Sequence, residues 1–292
     1  MALRGHKFKT SKQDKRGDLM RFFLAFLAFA LVFGSISAVV ILKHNELSLK
    51  SIFSKETTTE SGDETTADDQ PVSPVKLSGK TNFLIYCSSN DFSEMYFIHI
   101  VEADMDNCII KDRPLNPDGK TTDGKTYVQL LKESGAGKLV SAIEEKEGVK
   151  ISKYVGSNAE TFALAINYMD GLEYTVDERI EYRNSAYTLI LTKGNQTIKG
   201  ETLIKYFRYC KTLGVDGMRT QGKLICAMLD SYINDNNVDK GTRIYQRLLS
   251  NLDSNSDISY FEAAEAMPTV KAFCDSENRQ NSTIIINDSS IS

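Results

Sequence analysis

Residues 22–42, FFLAFLAFALVFGSISAVVIL, run for 21 positions without a charged side chain. At 1.5 Å per residue a helix of that length spans a hydrocarbon core of about 30 Å. The run therefore predicts one transmembrane anchor and confines the rest of the chain to one side of a bilayer. The 21 residues before it carry Arg4, Lys7, Lys9, Lys12, Lys15, Arg16 and Arg21 against Asp14 and Asp18. That basic excess holds residues 1–21 in the cytoplasm as a short tail, and everything after Lys43 is expected to be extracytoplasmic. Ser35-Ile36-Ser37-Ala38 offers small residues to a signal peptidase, which is the competing reading. The apolar run continues past them to Leu42, and this favours an anchor that stays attached.

Residues 43–80 read as a flexible acidic stalk. The part from 55 to 80, KETTTESGDETTADDQPVSPVKLSGK, holds six acids, two prolines and almost no large apolar residue. So little burial cannot offset the entropy of ordering. The whole chain has a net charge of −4, and the tail has seven basic against two acidic residues, so the part beyond the anchor sums to −9. That charge excludes nucleic acid as a partner of the exterior domain. Five cysteines, Cys87, Cys108, Cys210, Cys226 and Cys274, form no CxxC pair and are odd in number. They predict free thiols in place of a disulfide framework, and free thiols on an exported chain fit reducing surroundings.

Residues 81–276 are long enough for one core. NFLIYC and MYFIHIV read as neighbouring strands, and DMDN (104–107) is turn chemistry leading into CII. KISKYV, LEYTVD and YTLIL also read as strands. Apolar spacing predicts helices near 126–134, 137–147, 159–169, 200–209, 218–234 and 241–252. Helices interleaved with strands imply an α/β fold, a central mixed sheet covered by helices. Residues 277–292 are polar apart from TIII and are expected to fray.

Several chemistries are excluded. ESGAGKLVS (133–141) lacks a phosphate loop's first glycine, where Lys132 stands, and its hydroxyl, where Leu139 follows Lys138. His99 is the lone histidine of the domain, too few for a histidine-based metal site or triad, and is expected to be packed and hydrogen-bonded. No GxSxG or HExxH is present.

What remains is GETLIKYFRYCKTLGVDGMRTQGKLICAML, residues 200–229. It resembles the LytR-CpsA-Psr family of cell-envelope proteins, whose members read Gly-Glu-x-Ala-Leu-x-Tyr-x-Arg-x-Arg and, after about five residues, Asp-x-Gly-Arg-x-x-Arg-Gln. Gly200, Glu201, Ile204, Tyr206 and Arg208 match without a gap, while Cys210 replaces the second arginine. Asp216 and Arg219 match at the family's spacing, and Gly222 and Lys223 stand where Arg-Gln is expected. Upstream, Phe162, Gly171, Val176 and Glu178 match a second stretch, so the resemblance covers most of residues 81–265. The front departs: Ser89 stands at the first of two acidic positions, Glu94 near the second, and KDRPLN puts Pro114 and Leu115 where arginine and aspartate belong, with Arg113 beside them.

The resemblance implies transfer of a membrane lipid-linked glycopolymer, carried as a polyprenyl diphosphate, onto peptidoglycan or another acceptor at the outer face of a Gram-positive-type membrane. A diphosphate leaving group calls for arginine forks and a carboxylate-held Mg²⁺. On this basis Arg208 and Arg219 bind the diphosphate, Arg113 assists, Glu94 holds the metal, and Asp216 orients Arg219 or activates the acceptor hydroxyl. The thinned acid and arginine set leaves a second reading open, a catalytically inactive lipid-binding or scaffold module. Individual charges also admit plainer roles: Asp216 before Gly217 suits a turn or helix start, and Glu94 and Arg113 suit exposed surface. A cytoplasmic part of 21 residues with no DNA-reading element disfavours direct control of transcription.

Overall fold

The computed structural model describes residues 77–234, 256–258 and 260–286. The expected tail, the anchor, the stalk up to residue 76, the 241–252 helix and residues 287–292 lie outside the described residues. Among the described residues no helix is long and apolar enough to cross a membrane.

Strand β1 (Lys80–Ser88) pairs antiparallel with β2 (Met95–Asp104), which pairs antiparallel with β3 (Ile109–Pro114). Alternation along β1 sends Phe83 and Ile85 to one face and Leu84 and Tyr86 to the other. Both sets are fully or nearly fully buried, so both faces must be covered. One cover is α1 (Tyr127–Ser134) and α2 (Ala136–Glu147), whose Leu131, Leu139 and Ile143 pack on Leu84, Ile98 and Ile100. A reciprocal capping box of Thr126 and Gln129 starts α1, and Gly135 (φ 79°) turns the chain between the two helices. The stretch that mimics a phosphate loop is this helix junction.

The chain then adds β4 (Lys153–Asn158) parallel to β1 and runs into α3 (Ala159–Tyr168). Two ribbons follow, β5 (Leu172–Val176) with a later β8 (Gly194–Ile198), and β6 (Ile180–Arg183) with β7 (Thr188–Leu191). Helices α4 (Gly200–Lys211), α5 (Gly214–Tyr232) and α6 (Tyr260–Cys274) complete the second cover, with Phe162, Phe207, Leu224 and Phe273 against Phe83, Phe97 and Val101. The result is the expected mixed sheet between two helical layers.

Two features differ from the sequence expectation. Lys80 already belongs to β1 and Leu77 packs on the core, so the folded part starts ahead of Thr81. Residues 277–286 do not fray: β9 (Thr283–Ile284) lies parallel to β3, giving the order β4-β1-β2-β3-β9. Ser282 donates through its amide and hydroxyl to Asp230, at 3.0 and 2.7 Å, and the Ile285 amide donates to the Asp112 carbonyl at 2.7 Å. Helices α4 and α5 cross with almost no gap: a Cβ on Gly217 would stand 1.7 Å from the Cys210 carbonyl oxygen.

His99 is fully buried, as is Asp112, and its Nδ1 lies 2.9 Å from both carboxylate oxygens. All five cysteines are buried, and none is in a disulfide. At the β2–β3 turn, Lys80 and Lys111 each sit 2.8 Å from the buried Asp104 carboxylate, and Asn107 donates to it. Burial alone would raise the Asp104 carboxyl, but bonds from Lys111, Lys80 and Asn107 hold it far below the ordinary range. A depressed folded value stabilises the fold above the unfolded carboxyl's pKa of about 3.9, and that stabilisation drains away as pH falls below it. Acid titration of Asp104→Asn should therefore lose part of the stability decline that the native chain shows below about pH 4.

Candidate functional site

The Gly-Glu that opens α4 is structural. A Cβ on Gly200 would lie 2.0 Å from the Ala163 carbonyl oxygen, so α3 and α4 meet backbone to backbone there. Asn167 of α3 accepts from the Gly200 amide at 2.7 Å and donates to Glu201 at 3.1 Å, fixing where α4 begins. From that start, Leu203, Phe207 and Cys210 turn inward. Arg208 and Lys211, three residues apart, share the side of α4 that meets the beginning of β2.

The Arg208 guanidinium lies 5.2 Å from the Tyr96 ring centre and 4.6 Å from that of Tyr187. One guanidinium nitrogen pairs with Glu94 at 3.1 Å, while its Nε is buried with no hydrogen-bond partner among the described residues. Lys211 pairs with the other Glu94 oxygen at 3.1 Å and with Asp118 at 3.0 Å, its side chain only 9% exposed. Burial pushes the Tyr187 hydroxyl up to about 12, against the opposing pull of Arg208, so the ring is uncharged at neutral pH. Beside Lys211 a cavity of about 100 Å³ opens between Asn116, Pro117, Gly214 and Met218.

Glu94 is delivered by a self-bonded turn. Ser89 Oγ accepts from the amides of Ser93 and Glu94 at 2.9 and 3.0 Å and donates to Asp91 at 2.7 Å. The family's first acidic position is thus occupied by the residue that shapes the turn. A β-bulge at Ser88 disturbs the ladder beside Tyr96, and the buried Gln221 donates to the Tyr96 carbonyl at 3.0 Å and to that of Phe207 at 2.9 Å. Through Gln221, α5 ties the two elements that carry the cluster.

Of the residues singled out in the sequence, the structure brings Arg208 and Glu94 together. Asp216 and Arg219 pair with each other at 2.8 Å in the first turn of α5, 85% and 52% exposed. Arg113 stands opposite Ile100 in the β2–β3 register, on the face covered by α1 and α2, whereas α4 covers the other face. Leu115, at the family's aspartate position, is core. The Cys210 thiol is pushed up to about 12 by burial, which leaves no thiolate for nucleophilic chemistry. Sequence reasoning passed over Lys211, Asp118, Tyr96 and Tyr187. The spacing from Arg208 to Lys211 was the available signal.

The described residues contain no group of three or more His, Cys, Asp or Glu side chains placed to hold an ion. Glu94 is already shared by two cations, and its neighbour at the other family position is a serine. What the cluster offers is an anion grip in which two carboxylates occupy the cations. Glu94→Gln should then tighten binding of a polyprenyl diphosphate about tenfold, because a competing charge is gone. A metal-holding role makes the opposite forecast, so calorimetric titration in the presence of Mg²⁺ decides between them.

Against known proteins, the LytR_cpsA_psr family model matches residues 109–289. No curated protein matches the sequence. Among solved structures, a Eubacterium siraeum protein classed as a transcription regulator superposes with a TM-score of 0.59 at 17% identity, covering 77% of this chain and 90% of that one. TagV of B. subtilis gives 0.55 at 18% identity, covering 72% and 85%. TagT bound to LI-WTA gives 0.50 at 16% identity, covering 75% and 82%. The sequence match begins at β3, so the turn bearing Ser89 and Glu94 precedes it, yet it takes in α4, α5 and β9. With more than half of its length under that one model, the chain belongs to the LytR-CpsA-Psr family.

Proposed function

We propose that this protein binds a polyprenyl-diphosphate-linked glycopolymer at the outer face of the membrane, as a step in attaching the polymer to peptidoglycan or another envelope acceptor. The observation that carries this reading is the convergence of Arg208 and Lys211 on one carboxylate, with a small cavity beside Lys211. An arginine fork with a lysine one turn on suits diphosphate oxygens, and Glu94 and Asp118 yield their places to the ligand. TagT, which shares the fold, has been solved bound to LI-WTA, and this supports a lipid-linked polymer as the ligand. The apolar run at 22–42 would hold the domain near its lipid substrate.

Transfer would need an acceptor hydroxyl to attack the polymer-side phosphorus as the bridging P–O bond breaks and polyprenyl phosphate leaves. Arg208 and Lys211 would spread the leaving group's charge, and a carboxylate would take the hydroxyl proton. Asp216, the carboxylate that the family resemblance assigns to that step, is exposed and held by Arg219. That observation favours a second reading, binding without transfer.

Titration of the full chain in detergent with a polyprenyl diphosphate, with and without Mg²⁺, tests the first claim. Saturable one-to-one binding supports it, and no binding in either condition overturns it. Release of polyprenyl phosphate when lipid-linked polymer and peptidoglycan are supplied together separates a transferase from a carrier.

A further inference from the structure

The anion grip uses only Tyr187 at the turn of the β6–β7 ribbon, yet the ribbons border a second concavity. A groove of about 340 Å³ opens between β5, the start of β6 and the junction of α4 with α5. Tyr174, Tyr206, Tyr209 and Leu213 supply its apolar lining, and Asp177, Glu178 and Lys223 its polar groups. Leu213 is 43% exposed, one of two large apolar side chains left so open among the described residues. Lys223 pairs with Asp177 at 3.3 Å, so the balance of these three charges is negative.

The groove is joined to the anion grip by a file of aromatic rings. Tyr174 and Tyr206 have ring centres 6.4 Å apart, Tyr206 and Tyr209 6.5 Å, Tyr209 and Tyr182 5.1 Å, and Tyr182 and Tyr187 5.6 Å. Tyr187 is the ring beneath Arg208. Burial pushes the Tyr174 hydroxyl up to about 12, so it remains a neutral donor.

We infer that this groove is a glycan subsite, taking neutral pyranose rings of the polymer or its acceptor. A pyranose presents an apolar C–H face that packs on an aromatic ring and a rim of hydroxyls that carboxylates accept from. The volume falls within the ordinary range of ligand sites. A prenyl chain would gain nothing from the charged rim of Asp177, Glu178 and Lys223, and a phosphate-rich polymer would be repelled by the negative balance. A lone ammonium wants rings gathered round one point, whereas these touch in succession, each ring on the next. The inference rests on the diphosphate reading for the direction in which a polymer would run, and on the lining alone for what the groove binds.

The probe is chitotetraose, a neutral N-acetylhexosamine tetramer, titrated into the full chain in detergent. With no tryptophan in the sequence, the chain's intrinsic emission comes from its 13 tyrosines, five of which form the file of rings. Saturable binding is expected, weakened at least fivefold by Tyr209→Leu or by Glu178→Gln. The second variant, on an exposed rim residue, keeps the test valid if the first fails to fold. Absence of saturable binding, binding that neither substitution weakens, or equal binding of a glycerol phosphate oligomer or a simple alkylamine overturns the inference. A chain that binds polyprenyl diphosphate but not chitotetraose refutes the glycan subsite alone. The converse refutes the anion grip alone.

Discussion

Replacing Arg208 with alanine is expected to weaken binding of a polyprenyl diphosphate to the full chain thirty- to hundredfold. Hydrogen bonds to a charged group contribute about 1.5–3 kcal/mol each, and 1.4 kcal/mol is a tenfold change in affinity. Arg208 brings a fork, and its placement between Tyr96 and Tyr187 orients that fork before any ligand arrives. Its loss also leaves Lys211 alone against Glu94 and Asp118, so the remaining cluster turns net negative. Arg208→Lys should fall between the two, keeping the charge but losing the planar fork. Unchanged far-ultraviolet circular dichroism would show that the fold survives. An affinity within twofold of the native chain would remove Arg208 from the binding account.

Gly217→Ala is the largest stability effect expected. By helix propensity alone the change should stabilise α5 by about 1 kcal/mol. The structure demands the opposite sign, because the new methyl would stand 1.7 Å from the Cys210 carbonyl oxygen, and a backbone atom cannot rotate away. Overpacking ordinarily costs about 1–3 kcal/mol, and a clash with backbone puts this case at the upper end or beyond. For a domain of this size about 3 kcal/mol lowers the thermal midpoint by roughly 6–12 °C. Calorimetry reads the sign at once, and a raised midpoint would mean that α4 and α5 do not cross so closely. The same displacement would move Lys211, which ends α4 one residue beyond the crossing at Cys210.

The sheet was legible because β1 and β2 are nearly continuous apolar runs, and α1 to α5 keep a helical spacing. The ribbons were only half legible. Ile180–Arg183 and Gly194–Ile198 have a single face against the protein and mostly polar side chains, so no period stands out. Helix α6 carries Pro268 inside it, which reads as a break. Strand β9 has two residues, and its place depends on Asp230 and Asp112, which lie far away in the sequence. At the site, motif spacing found Arg208. Strand parity placed Arg113 on the opposite face, where one residue of register decides the side. That Glu94 meets Arg208 depends on a turn and a helix more than a hundred residues apart, and no local pattern records such a meeting.

Five buried thiols outside any disulfide need no reducing surroundings to survive. Burial pushes Cys87 and Cys210 up to about 12, and only a thiolate reacts readily. Those two sulfurs are therefore silent while their surroundings stay closed and reactive once they part. The cysteines amount to built-in clocks for native-state breathing. Alkylation at Cys210 would time the separation of α4 from α5. At Cys108, whose carbonyl accepts from the Gln280 amide and whose sulfur lies 3.3 Å from Ser276 Oγ, it would time the lifting of the C-terminal segment. Two rates measured on one sample would show which part of the molecule opens first.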